Sequence, residues 1–232
     1  MLRLEANQTW SDLLEWARTH ASPRWVFRGQ SQNWPLRPNV GRDPSTYRLD
    51  RELQVFDEFK RLARPFIDRG GMPTDWDWLY IAQHHGLPTR LLDWTTNPLV
   101  AAYFACQPSS RNEPGRSEPD GHLHAAEIGA FGILDAASIG LRPFDVSRTQ
   151  FVLPNAVSAR ITAQRGLFSI HPDPSKTWDP IKGIEQFPIP AAHKETVLRN
   201  LAGLGVDAGM IMADMDGLAT NLRWRFQNGM AI

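Results

Sequence analysis

Helical periodicity crowds into the first half of this chain and short apolar runs crowd into the second, and that segregation limits the fold more than any other feature. "LDRELQVFDEFKRLARPFI" repeats Leu49, Leu53, Phe56, Phe59, Leu62, Ala63 and Phe66 at intervals of three and four, which predicts an amphipathic helix. "TWSDLLEWARTH" reads as an earlier helix capped by Thr9 or Ser11, with Leu13, Leu14 and Ala17 on one face. Thr74, with Asp75 and Asp77 behind it, starts a further helix that Gly86 ends. Asn97-Pro98 opens "NPLVAAYFACQ". Strands are expected at Trp25–Arg28, in "PTRLLDW", at His122–Ile128, at Ala130–Leu134 and in "RITAQRGLFSIHP". "HKETVLRNLAGLG" reads as a helix burying Val197, Leu198, Leu201 and Leu204, and "DAGMIMADMDGLATNLRWRF" as a short strand, a turn and a last helix. Helices followed by strands imply α+β rather than a doubly wound sheet. One domain is expected, with residues 1–24 as an N-terminal helix and lead-in to residues 25–232.

The run Trp25-Val26-Phe27 ends on Arg28, followed by Gly29-Gln30-Ser31-Gln32-Asn33, which reads as a polar turn. An arginine closing a buried strand must meet an anion or several acceptors, because its charge is costly to bury alone. An internal carboxylate would serve, and so would a ligand phosphate or carboxylate. Six arginines and no lysine lie between Arg24 and Arg51, a composition that suits phosphate recognition or a solvated face. Over the whole chain Lys+Arg and Asp+Glu both total 25, so no global field selects nucleic acid or membrane.

The densest polar segment is "IAQHHGLPTRLLDWTTNPLVAAYFA", whose Gln83, His84, His85, Thr89, Arg90, Asp93, Thr95 and Thr96 fall near the ends of elements. Side chains there line sheet-based pockets. His84 and His85 are adjacent and point about 100° apart on a helix, so they do not form a metal pair and suit a helix C-cap better. HExxH, CxxC, Walker A, GxGxxG and GxSxG patterns are all missing, and no metal is expected. Cys106, the one cysteine, lies in an apolar run and reads as a core residue of a protein in a reducing compartment. The amphipathic, acidic beginning is no signal peptide, so a cytoplasmic location is expected. Residues 107–121, with three prolines and two glycines, read as a flexible surface insertion.

"WVFRGQSQNWPLRPNVGR", "QHHGLPTRLLDWTTNPLVAAYFA", "RITAQRGLF" and "LAGLGVDAGMIMADMDGLA" together closely resemble the FRG domain family, named for Phe27-Arg28-Gly29 as they stand here. The likeness runs from about Trp25 to Asn221, and its members are typically bacterial and phage-borne. The order Arg28, "LLDWTTNPLVAAYFA" and Gln164 also resembles enzymes of the ADP-ribosyltransferase type. Those enzymes place an Arg or His at the end of the first core strand, then a Ser/Thr strand and an Ala/Phe-rich helix, and a Glu or Gln on a late strand. Asp93-Trp94-Thr95 stands where that pattern shows Ser-Thr-Ser, and Gln164 carries an amide where most active members carry a carboxylate.

The resemblance implies a split sheet flanked by helices. It implies NAD as substrate, without a metal, for ADP-ribosyl transfer or NAD⁺ hydrolysis in a toxin or phage-defence effector. The expected cleft holds Arg28, Asp93 and Gln164 as catalytic residues and Arg28, Gln30, Thr89, Arg90 and Thr95 as binding residues. Arg28 would clamp, Asp93 would supply negative charge near the anomeric carbon, and Gln164 would orient a ribose hydroxyl. The plainer roles are an ion pair of Asp93 with Arg90 or Arg28, and a backbone hydrogen bond from Gln164. Of Trp34, Trp76, Trp78 and Trp94, one beside the cleft would stack on a ring. The alternatives are a non-catalytic nucleotide- or nucleic-acid-binding module and a metal-independent nuclease.

Overall fold

The computed structural model describes residues 2–67, 73–109, 117–135, 140–154, 162–180 and 182–230. Its centre is a mixed seven-stranded sheet in the order β4-β5-β6-β2-β1-β3-β7. The strands are β1 Trp25–Gln30, β2 Leu91–Thr95, β3 Gly121–Glu127, β4 Ile133–Leu134, β5 Gln150–Val152, β6 Gly166–Ile170 and β7 Ile184–Ile189. Only β4 and β5 run parallel; the other neighbours are antiparallel. The helices are α1 Leu2–Thr19, α2 Glu52–Ala63, α3 Asp75–His84, α4 Pro98–Ala105, α5 Ile128–Phe131, α6 Lys194–Gly203, α7 Ala208–Met212 and α8 Met215–Gln227. The chain is therefore α+β, as the segregation of periodicities implies. No helix among the described residues is long and apolar enough to cross a membrane.

Apolar residues on both sides of the strands explain why β1 and β2 read as continuous apolar runs rather than alternating ones. On one face Phe27 and Leu123 join Leu13 of α1, Val100 of α4, Val197 and Leu201 of α6 and Ile211 of α7. Further along that face Leu91, Phe168 and Ile170 pack with Phe56 of α2 and Trp78 and Tyr80 of α3. On the opposite face Val26, Leu92, Trp94, Ala126, Phe151 and Leu167 are closed over by Leu36, Phe131 and Trp178. Each fully buried large side chain of these clusters contributes roughly 2–3 kcal/mol of transfer free energy.

The caps read from sequence for α3 and α4 form as expected. Thr74 and Asp77 make a reciprocal capping box on α3, and Asn97 accepts the Leu99 N–H at the start of α4. Gly86 and Gly205 follow α3 and α6 with φ of 84° and 78°, where a side chain would be strained.

Several expectations are corrected. Helix α1 begins at Leu2, so neither Thr9 nor Ser11 is its cap; the Ser11 hydroxyl donates to the Asn7 carbonyl inside the helix. Leu14 is exposed there. Of the α2 stripe, Phe56 is buried while Leu53, Leu62 and Phe66 face outward, because only one edge of that helix meets the sheet. Residues 130 and 131 belong to α5, leaving Ile133–Leu134 as the strand. Residues 208–212 are helical, with Asp207 accepting the Met210 N–H as its cap. Leu204 is exposed at the end of α6. Within 107–121, residues 110–116 lie outside the described residues. At its margins the Ser109 N–H and the Lys194 ammonium both donate to Glu118, and Gly121 already opens β3.

Candidate functional site

The Phe-Arg-Gly triplet lies inside a strand, not at its end: β1 continues through Gly29 to Gln30, correcting the polar turn read there. Each residue of the triplet has a separate physical task. Phe27 is buried in the core with α1 and α4. Gly29 lets α4 lie flush on the strand, since a Cβ there would collide with the Ala101 carbonyl oxygen and stand 2.7 Å from the Ala105 nitrogen. Arg28 points to the other face, in register with His124 of β3.

Arg28 also marks where the sheet parts. β1 pairs with β3 over six residues and β2 with β6 over five, yet β1 and β2 share the single register pair Phe27↔Thr95. Beyond it the strands diverge and the Arg28 side chain bridges the gap. Its Nη1 donates to the Asp93 carbonyl oxygen at 2.7 Å and lies 3.7 Å from that residue's carboxylate. The side chain is 12 % exposed, so it is neither sealed nor open. Burial pulls its pKa down from the ordinary arginine range, and Asp93 counters this in part.

Asp93 is held in turn by α3. Gln83 donates from Nε2 to both carboxylate oxygens, at 3.2 and 3.1 Å, while the Thr89 hydroxyl donates to Gln83 Oε1 at 2.6 Å. Thr89 thus acts on Asp93 through Gln83. Asp93, Gln83, His84 and Gln164 line a recess of about 80 Å³. Gln164 sits in a turn before β6 rather than on the strand. Its Nε2 donates to the Ile211 carbonyl at 3.1 Å, and its backbone carbonyl accepts the Thr95 hydroxyl at 2.6 Å. The plain role foreseen for Gln164, a backbone hydrogen bond, is therefore present, although its acceptor lies on α7.

Arg90 stands apart from this group. It forms a two-pronged pair with Glu52 at the start of α2, Nε to Oε1 at 3.0 Å and Nη2 to Oε2 at 2.6 Å, and stacks 4.5 Å from the Phe144 ring centre. The ion pair foreseen for Asp93 is made with Arg28, not with Arg90.

On the other side of the split lies a cavity of about 340 Å³ whose lining includes His124, Trp34, Trp178, Thr177 and Gln186. Gln30 is buried beside it, its Oε1 2.9 Å from His124 Nε2. Burial, with the charges of Arg28 and His122 added, pushes the His124 pKa down to about 4, so the ring is neutral near pH 7. The same causes, burial and then Arg28, take His171 to about 3. Of the four tryptophans considered, Trp76, Trp78 and Trp94 are buried, and Trp34 is the one beside this cavity. Cys106 is buried and its thiol is pushed up to about 12, which makes it inert.

Sequence reasoning missed Gln83 as the holder of Asp93 and missed His124 altogether. The signal for His124 was the alternation in "GHLHAAE", which puts His122 and His124 on the face opposite Leu123 and Ala125.

Fold and site define an α+β protein whose mixed sheet is parted at one strand pair and bridged there by an arginine. Residues 23–113 match the family model of the FRG domain, a stretch that takes in β1, α2, α3, β2 and α4. It covers less than half of the 232 residues. No curated protein and no solved structure matches the chain.

Proposed function

We propose that the protein binds NAD⁺ at the parted sheet and cleaves its nicotinamide–ribose bond, passing ADP-ribose to a macromolecule or to water. The observation that carries the reading is the meeting of a guanidinium and a carboxylate at one strand gap. Arg28 lies against Asp93, and Asp93 shares its recess with Gln164. In the reaction the C1′–N1 bond breaks with its electron pair going to nicotinamide, whose ring nitrogen becomes neutral. The acceptor oxygen then bonds to C1′ and gives up a proton. The departing group is cationic beforehand, so the need is for negative charge opposite the developing oxocarbenium ion and for a fixed sugar. Asp93, kept in place by two N–H···O contacts from Gln83, is suited to the first task. Arg28 is suited to holding pyrophosphate or ribose oxygens. A toxin or phage-defence role in the cytoplasm goes with this reading, since NAD⁺ loss or target modification would be the damaging event.

A second reading, nucleotide binding without chemistry, is favoured by one specific observation: Asp93 and Gln164 both already have protein partners. The two readings give opposite signs. If NAD⁺ is cleaved, Asp93→Asn lowers nicotinamide release by orders of magnitude with little change in affinity, and Gln164→Glu keeps or raises it. If the site only binds, Asp93→Asn leaves or strengthens nucleotide affinity, and Gln164→Glu weakens it by repulsion. Free nicotinamide after incubation with NAD⁺, with affinity measured beside it, reads both. Unfolding of Asp93→Asn would assign the carboxylate to the structure instead.

A further inference from the structure

Buried side-chain nitrogens without a hydrogen-bond partner are few among the described residues, and three of them are neighbours: Arg28 Nε, Gln30 Nε2 and His124 Nδ1. Arg28 and Gln30 are two apart on one face of β1, and His124 faces Arg28 across the ladder. Gln30 and His124 are 3 % and 1 % exposed, so solvent does not serve them. An orphaned buried polar group costs about 1–3 kcal/mol, and three in one patch call for a shared explanation.

The hydrogen-bond logic fixes what would satisfy them. With Gln30 Oε1 accepting from His124 Nε2, the ring of a neutral histidine is left with Nδ1 as an acceptor. Gln30 Nε2 and Arg28 Nε are donors. The patch thus presents two donors and one acceptor. A carbonyl oxygen has two lone pairs and can take both donors at once, while an adjacent N–H supplies the acceptor. A ring nitrogen of the adenine type has one lone pair and can take only one of the donors. Of the three residues, His124 lines the 340 Å³ cavity, and Trp34 and Trp178 line it too, so a planar ring of fitting size would find an indole to lie against.

We propose that Arg28, Gln30 and His124 recognise the carbonyl/N–H edge of a planar amide-bearing heterocycle seated against Trp34 and Trp178. This rests on the reading that the Arg28 region takes a nucleotide, and it names the part of the ligand that is read there. In NAD⁺ the nicotinamide carboxamide has such an edge and the adenine does not.

The test compares ligands that differ at that edge, by NMR titration of the full chain: nicotinamide against nicotinic acid, and IMP against AMP. The expected result is at least a tenfold preference for the first member of each pair, with a ¹⁵N shift of His124 Nδ1 on binding that ligand alone. Gln30→Glu keeps the acceptor for His124 and removes the donor, and should abolish the preference. Should that variant fail to fold, the wild-type comparison decides by itself. Equal affinity within both pairs, alongside binding or cleavage of NAD⁺, overturns the edge inference and leaves the nucleotide reading standing. If neither NAD⁺ nor any of the four ligands binds, both fall, and a buried water, which offers two lone pairs and two protons, accounts for the three atoms.

Discussion

Arg90, just before β2, and Arg28, on β1, are comparably buried, yet the protein treats their charges in opposite ways. Arg90 is met by a carboxylate, two prongs on two, with an aromatic ring against it. Its charge is cancelled locally and nothing remains for a ligand to do. Arg28 is met first by a backbone carbonyl, with the Asp93 carboxylate farther off at 3.7 Å and its Nε without a partner. A guanidinium held by a carbonyl keeps most of its field. Two buried histidines, His124 and His171, both feel it. The lesson is that buried arginine alone says little. What its fork touches decides whether it fastens the fold or waits for an anion.

The largest way to expose that difference is pH. His124 and His171 are held at about 4 and about 3, against an ordinary histidine value near 6.5. Their folded values lie below their unfolded ones, so in acid the unfolded chain binds protons that the folded chain refuses. Above pH ~6.5 both states are neutral and the effect vanishes; stability is lost as pH falls from there towards about 4. Each histidine costs about 1.4 kcal/mol for every pH unit descended, so the pair together cost roughly 5–6 kcal/mol near pH 4. Urea unfolding at pH 7.5, 6 and 5 measures it. Arg28→Gln should make the curve shallower by removing the neighbouring charge, with the larger part, due to burial, remaining, whereas a variant at Arg90 should leave its shape unchanged. An equal effect from both would erase the distinction.

The Arg90 region is broken from the other side. Glu52→Ala strands a buried guanidinium, and a loss of about 3–5 kcal/mol is expected, read as a fall in urea midpoint. Replacing both partners, as Glu52→Leu with Arg90→Met, should recover most of it, because the cost lies in the unpaired charge. Nucleotide affinity should not move in either variant that folds.

How much of this contrast the sequence disclosed depends on the distance over which each signal acts. The caps of α3 and α4 rest on contacts two or three residues away, and Thr74, Asp77 and Asn97 announce them openly. That Arg28 needs acceptors follows from the apolar run before it. Which acceptors it finds does not, since Asp93 lies 65 residues on and its backbone carbonyl carries no residue-specific mark. Arg90 and Glu52 are 38 residues apart, and the glutamate reads as one of many helix-start acids. Gly29 reads as part of a turn because a glycine required by helix packing looks the same in one dimension as a glycine required by positive φ. The helix at 208–212 overrides its apolar run because Asp207 caps it and Ile211 reaches the core.

The smallest expected effect is the most discriminating. Arg28→Lys keeps the charge and loses the fork. A single ammonium cannot at once reach the Asp93 carbonyl across the gap and present a second donor to a bound anion or carbonyl. Nucleotide binding should weaken by about tenfold, equivalent to ~1.4 kcal/mol, while the unfolding midpoint shifts little, because a lysine can still donate to the carbonyl. The histidine-driven acid transition should persist, since the burial that chiefly depresses both histidines and the neighbouring positive charge are both kept. The contrary result is informative in its own right. If Arg28→Lys leaves binding untouched and lowers stability as steeply as Glu52→Ala does, Arg28 is a second structural clamp. The parting of β1 from β2 would then be a packing feature with no ligand to receive.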